Sequence, residues 1–407
     1  MDGVSTAILL LLLAVISLAL SFNSWGKGQL PPGPKPLPFL GNLLQLRSQD
    51  LLTSLTKLSK KYGSVYTVYL GPRRVVVLSG YQTVKEALVD KGEEFSGRGS
   101  YPVFFNFTKG NGIAFSNGER WKALRRFSVQ ILRNFGMGKR SIEERILEES
   151  SFLLEVLRKT EGKPFDPVFI LSRSVSNIIC SVIFGSRFDY DDERLLTIIR
   201  FINDNFQIMS SPWGEMYNIF PSLLDWLPGP HRRMFRNFRG MKELIARSGR
   251  EHQDSLDPNS PRDFIDCFLS KMAQEKKDPL SHFQMDISPI CSEQLCATRL
   301  GTDVITLLNT VHYDSEQFKT PREFNPEHFL DANQSFKKSP AFAPISTGKR
   351  MCLGAGLARS EIFLFLTAIL QKFCLLPVGS PANINLTPQC TGLGNMPPAF
   401  QLRLEAR

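Results

Sequence analysis

Histidine is scarce in this 407-residue chain. His231, His252, His282, His312 and His328 match neither zinc-site spacing nor a two-histidine metalloprotease helix, which argues against metal-dependent hydrolysis. No carboxylate pair stands out as an acid–base dyad, and Glu119-Arg120 and Asp191-Asp192-Glu193 read as capping or surface groups. The seven cysteines are odd in number and widely spaced, with Cys180 and Cys374 in apolar surroundings, so a disulfide framework is not expected. Gly348-Lys349 lacks the earlier glycines and following hydroxyl of a phosphate loop. There is no internal repeat, no long polar low-complexity tract and no recognised nucleic-acid module. The formal charge of +10 fits an anionic membrane surface or an acidic protein partner, or serves solubility alone.

Residues 4–20 carry no charge and, extended through Phe22 and Trp25 to Lys27, have the length and flanks of a membrane helix. A single N-terminal anchor is expected over residues 1–25, with the body on the cytoplasmic side. The start Met1-Asp2-Gly3 lacks the positive charge of a cleaved signal peptide. Residues 26–40 form a proline-rich hinge containing Leu30-Pro31-Pro32-Gly33-Pro34-Lys35-Pro36-Leu37-Pro38, which reads as a stiff spacer. The acceptor triplets Asn106-Phe107-Thr108 and Asn385-Leu386-Thr387 are expected to stay unglycosylated on a cytoplasmic body.

Beyond the hinge the pattern is mainly α with small β-sheets. Helical periodicity covers 51–60, 81–89, 119–132, 141–158, 167–184, 193–209 and 232–252, and 359–373 reads as a buried helix. Residues 65–70 and 74–78 read as paired strands around a Gly71-Pro72 turn.

Cys352 lies in Ser346-Thr347-Gly348-Lys349-Arg350-Met351-Cys352-Leu353-Gly354. A thiolate between glycines, with two cations just before it, suits an iron ligand, since glycine lets backbone approach a flat cofactor and amides can moderate the sulfur's charge. A structural cysteine in a surface loop would look similar. Trp121 and Arg125, four apart on one helical face, can both donate to one anionic group, and Arg98 and Arg350 offer further guanidinium donors to carboxylates. The alternatives are a core tryptophan with a solvated arginine, and a turn arginine at position 98.

The chain resembles the microsomal cytochrome P450 monooxygenases of the vertebrate xenobiotic-metabolising type. The anchor, the Pro31-Pro32-Gly33-Pro34 hinge, Trp121-Lys122-Ala123-Leu124-Arg125, Phe324-Asn325-Pro326-Glu327-His328-Phe329 and the loop from Gly348 to Gly354 carry the resemblance. It implies the P450 fold, haem b as cofactor, Cys352 as proximal thiolate and sole catalytic and metal ligand residue, and Arg98, Trp121, Arg125 and Arg350 as propionate partners. It further implies electron delivery by NADPH–P450 reductase, with Lys122 and Arg126 as docking cations, cytochrome b5 as a further partner, and the endoplasmic reticulum membrane as location. Phe104, Phe105 and Phe107 fall where the family often contacts small lipophilic substrates, and Phe206 and Ile208 are weaker candidates. Core packing is an equal reading of these residues.

The pattern is broken in two places. Ile345 stands where the family usually places phenylalanine, seven residues before the ligand. More seriously, Ser281-His282-Phe283-Gln284-Met285-Asp286 resembles the approach to the central distal helix, whereas Gly301-Thr302-Asp303-Val304-Ile305 resembles sequence far downstream. The expectation is therefore an incomplete catalytic domain over 41–407 with an atypical junction at 287–300. It lacks the distal helix, with its acidic residue and threonine, and the Glu-x-x-Arg helix. The function implied is haem-thiolate oxidation of small lipophilic molecules with dioxygen. The alternative is a catalytically inactive membrane-bound isoform or interaction protein without stable haem.

Overall fold

The computed structural model describes residues 30–46, 51–99, 101–138, 140–278, 281–283, 295–299, 302–380, 384–385, 388, 390–391 and 395–407. The expected anchor, the first part of the hinge and most of the junction at 287–300 lie outside these residues. Among the described residues no helix is long and apolar enough to cross a membrane. The chain forms two compact units: Met1–Gly99 with Ile219–Pro221 and Gln294–Arg350, and Ser100–Asn218 with Ser222–Glu293 and Met351–Arg407.

The first unit is built on a four-stranded sheet. Helix α1 (Leu51–Tyr62) leads into β1 (Val65–Leu70) and β2 (Arg73–Ser79), an antiparallel pair turning at Gly71, whose φ of 60° suits glycine. Helix α2 (Tyr81–Lys85) continues as a wider turn to Asp90. Strands β3 (Leu295–Arg299) and β4 (Thr302–Leu307) pair antiparallel, and β4 lies parallel to β2, giving the order β1-β2-β4-β3.

Alternation along β2 and β4 produces two buried faces. Val75, Val77 and Leu307 join Leu55, Tyr66 and Val68 under α1, while Leu78 and Val304 join Val84, Leu88, Val311 and Phe318 on the other side. The buried Tyr66 hydroxyl donates to the Leu55 carbonyl at 2.6 Å, tying α1 to the sheet.

The described part of the proline segment is seated on this sheet. Thr67 of β1 donates its amide to the Pro32 carbonyl at 2.8 Å and its hydroxyl to the Pro31 carbonyl at 2.9 Å. A Cβ on Gly33 would lie 1.9 Å from the Thr67 oxygen, so only glycine permits this approach. Proline supplies carbonyl acceptors without competing donors, which suits a segment laid along a strand edge. Asn42 completes the attachment. Its backbone amide donates to Tyr69 O and its Oδ1 accepts from Tyr69 N, both at 2.7 Å, while Nδ2 donates to Lys35 O at 3.1 Å.

The second unit is helical: α3 (Gly118–Asn134), α4 (Arg140–Arg158), α5 (Pro167–Ile183), α6 (Glu193–Met209), α7 (Pro230–Asp254), α8 (Phe264–Gln274) and α9 (Ala355–Lys372), with shorter turns between. Helix starts are chemically marked. Asp166 accepts from Val168 N at 2.8 Å, Asp192 from Arg194 N at 2.7 Å and Asp263 from Asp266 N at 2.9 Å. Ile142, Ile146, Leu153 and Leu157 of α4 pack with Ile178 and Val182 of α5, Phe365 of α9 and two paired strands, β5 (Phe373–Pro377) and β6 (Leu402–Ala406).

Two features concern the flanks of the junction and the last long helix. Among the described residues no helix occurs between α8 and β3, in keeping with the expected loss of the distal and Glu-x-x-Arg helices. Helix α9 begins four residues earlier than its apolar run predicts and is not buried all round. Ile362 and Phe363 are each 66% exposed, and Leu366 and Leu370 lie on the same open side. A helix apolar around most of its circumference does not reveal which face lacks a partner.

Replacing Asn42 by alanine would leave the buried Tyr69 amide without its acceptor. An equilibrium urea titration is expected to show a loss of about 2 kcal/mol, whereas an unchanged midpoint would mean the proline segment contributes nothing to the sheet.

Candidate functional site

Each unit holds part of the predicted constellation, and the division falls at the Arg350–Met351 bond. In the first unit the stretch from Gly348 to Arg350 is clasped to residues 88–96. Gly348 has φ of 74° and its backbone meets Leu88 so closely that a Cβ would lie 1.8 Å from the Leu88 oxygen. Lys349 forms an ion pair with Glu93, and Arg350 Nε donates to the Ser96 carbonyl at 2.6 Å. Arg98, two residues beyond that carbonyl, is buried, as is Arg350. Two arginines more than two hundred residues apart in sequence are thus attached to one short segment. Gly99 keeps the turn open, since a Cβ there would lie 2.9 Å from Asp303 Oδ1 on β4.

In the second unit α3 reaches the cysteine loop. Arg125 Nη2 donates to the Met351 carbonyl at 2.7 Å, and its guanidinium lies 5.8 Å from the ring centroid of buried Trp121. The carbonyl of Cys352 accepts from Ala355 N at 3.4 Å, and that of Gly354 from Ala358 N at 2.9 Å as α9 begins. Cys352 is half-buried and not in a disulfide, and the position of a Cβ on Gly354 would be 3.9 Å from its Sγ. Arg125 thus links the helix that carries Trp121 to the backbone one residue before Cys352.

The aromatic candidates divide. Phe104 is fully buried and stacks on Phe115 at 4.3 Å between centroids, and Phe107 stacks on Phe238 of α7 at the same distance. Phe105 is exposed, while Phe206 and Ile208 lie on α6, the first half-buried and the second buried. Of the two proposed docking cations, Lys122 pairs with Glu119 at 2.8 Å, and both Lys122 and Arg126 are exposed.

Sequence reasoning missed Leu88, Glu93 and Ser96, because their part is played by backbone carbonyls and one ordinary surface carboxylate. It also missed Glu361, although a lone charge inside the apolar run of α9 was the available signal. Glu361 is buried on the face that carries Phe365, and its Oε1 has no hydrogen-bond partner among the described residues. Burial pushes its carboxyl up to about 7.

The donor set suits haem. A cysteine at a helix entrance can ligate iron as thiolate, buried guanidinium groups can meet carboxylates, and the glycine backbone admits close approach. This combination of a helix-rich fold and a cysteine loop held by the Trp121–Arg125 helix defines a haem-thiolate protein. The cytochrome P450 family model matches residues 31–297 and 298–404, and the chain belongs to that family. It is 70% identical to cytochrome P450 2F2 of Rattus norvegicus, 67% to cytochrome P450 2F2 of Mus musculus and 62% to cytochrome P450 2F1 of Homo sapiens, each over 491 aligned residues covering the whole of both chains. Because this chain has 407 residues, part of each alignment is gap, and the family match breaks at 297/298, inside the junction expected from sequence.

Glu361 also gives a pH dependence. Its folded value lies above the ordinary glutamate value of 4.5, so the stability of the protonated side chain is full below about 4.5 and is lost as pH rises through about 7. Comparing wild type with Glu361→Gln by urea unfolding at pH 5 and pH 8.5, wild type is expected to lose up to about 3 kcal/mol more than the variant. Parallel losses in the two proteins would show that the carboxyl is not buried in the folded chain.

Proposed function

We propose that this chain binds haem b through Cys352 as its thiolate ligand, with Arg98, Arg350, Trp121 and Arg125 serving the propionates. Haem-thiolate monooxygenation of small lipophilic molecules is the activity that follows from its family. The observation that carries the reading is the hold on the cysteine loop: Arg125 on the carbonyl of Met351, one residue before the thiol, on the helix whose Trp121 is buried. When bound, haem supplies dioxygen activation, and a thiolate ligand pushes electron density toward the iron to favour oxygen–oxygen cleavage. The chain's part is to hold the sulfur at the entrance of α9 and to fix the Gly348–Arg350 backbone.

NADPH–P450 reductase is the electron donor that fits the family, and exposed Lys122 and Arg126 on α3 are suitable docking cations. Cytochrome b5 is a second acidic partner for the same charge. The endoplasmic reticulum membrane is the proposed location, with residues 1–25 as anchor and the body on the cytoplasmic side.

A second reading is favoured by the break in the family match at 297/298. The segment lost there is the one expected to carry the acidic residue and threonine for proton delivery, and positioned groups are what general acid–base catalysis requires. In this reading the chain is a membrane-bound isoform without turnover.

The two readings separate on expression of the full chain in membranes. A reduced, carbon-monoxide difference band near ~450 nm, abolished in Cys352→Ala, is expected if thiolate ligation of haem occurs. Absence of that band overturns the haem assignment. A band without NADPH-dependent substrate oxidation selects the isoform without turnover.

A further inference from the structure

One of the scarce histidines, His312, stands at the approach to the cysteine loop. It ends a short helix (Leu308–His312) that follows β4 directly. That helix is firmly seated. Leu308 and Val311 are buried in the cluster that contains Leu78, Val84 and Leu88, and Thr310 Oγ1 accepts from Gly80 N at 2.8 Å. From this base the half-buried imidazole lies 5.8 Å from the ring of Phe342 between centroids, and its Nε2 accepts from Ala343 N at 3.1 Å.

Ala343 is the point from which the next turn is built. Its carbonyl accepts from Ser346 N at 3.2 Å, and Ser346 has a φ of 60°, a left-handed conformation that a serine adopts at some cost. Such a conformation persists only where the surrounding structure fixes both flanks. On the far flank Gly348 lies against the Leu88 carbonyl. On the near flank Ala341 is fully buried in the cluster that holds Leu88 and Val311, and His312 grips the amide two residues later. An imidazole nitrogen accepts only while unprotonated, so the grip requires the neutral ring with its proton on Nδ1. The neighbouring charges along the chain are turned elsewhere. Asp314 accepts from Glu316 N at 2.9 Å, and Arg322 lies over the ring of Tyr313 at 5.1 Å. Burial alone holds His312 below its ordinary value of 6.5. The grip is therefore complete above about 6.5 and is lost as pH falls through the lower folded value. We infer that His312 is a positioning residue for the cysteine loop, its Nε2 holding the Ala343 amide and with it the backbone that runs through Gly348 to Cys352. The grip itself is a property of the fold, and its consequence for a thiolate ligand rests on the haem reading above.

The test uses the purified full chain in detergent, with hydrogen exchange read at the Ala343 amide and corrected for the intrinsic rate at each pH. His312→Ala is expected to exchange there about tenfold faster than wild type. His312→Gln, whose amide oxygen can accept in the same place, should stay close to wild type at about pH 8. Between about pH 8 and about pH 5 wild type should lose protection several-fold, and the glutamine variant should not. An unchanged rate in His312→Ala overturns the inference, as does the same pH response in wild type and His312→Gln. If the alanine variant also exchanges fast at Tyr69 in β1, it has unfolded, and the comparison of wild type with the glutamine variant decides. The carbon-monoxide spectrum then carries the inference to the sulfur. A shift from ~450 toward ~420 nm in His312→Ala, reversed in His312→Gln, is expected. Faster exchange at Ala343 with the wild-type spectrum retained would overturn the positioning role and leave His312 a loop anchor. Absence of the band in wild type as well would overturn the haem reading alone, with the exchange rates still deciding the grip.

Discussion

The backbone of Gly348 lies against the carbonyl of Leu88 with no room for a side chain, and the local order of the cysteine loop depends on that contact. With it in place, Lys349 reaches Glu93 and Arg350 reaches the Ser96 carbonyl, which brings a buried guanidinium to the segment that holds buried Arg98. One residue further on, the carbonyl of Met351 answers to Arg125 and the second unit. Adjacent residues are therefore fixed by separate sets of partners, each set internal to its own unit. The backbone leading to Cys352 is held residue by residue through these partners.

The interruption near residue 297 is absorbed unevenly. The sheet tolerates it because strand pairing needs only a neighbour of suitable register, and β4 finds β2 in parallel while β3 pairs with β4. Helical packing is less forgiving, since a buried helix must be covered over much of its circumference. On α9 the covered side carries Phe365 together with Glu361, and the other side is left with Ile362, Phe363, Leu366 and Leu370 in the open.

Much of the helical framework was legible because its helices are long and amphipathic and several begin at a capping aspartate. The Gly71-Pro72 turn likewise announced its hairpin. The cysteine loop and the Trp121–Arg125 helix were legible as chemistry, but their joining through the Met351 carbonyl was not, because backbone acceptors leave no mark on residue identity. The same holds for Pro31 and Pro32, whose carbonyls serve Thr67. Their composition spoke of stiffness, while their function on the sheet depends on the absence of a Cβ at Gly33. Phe104 and Phe107 could be read as pocket walls or as packing residues, since a row of phenylalanines has the same spelling in either role, and only the structure shows their stacking on Phe115 and Phe238.

The open side of α9 bears on the fate of the chain in a cell. Apolar surface that never finds a partner is read by chaperones and proteases as a sign of incomplete folding. A helix with Phe363 two-thirds uncovered offers such a surface permanently. Shielding that one stripe is expected to lengthen the lifetime of the protein without altering any residue of the cysteine loop.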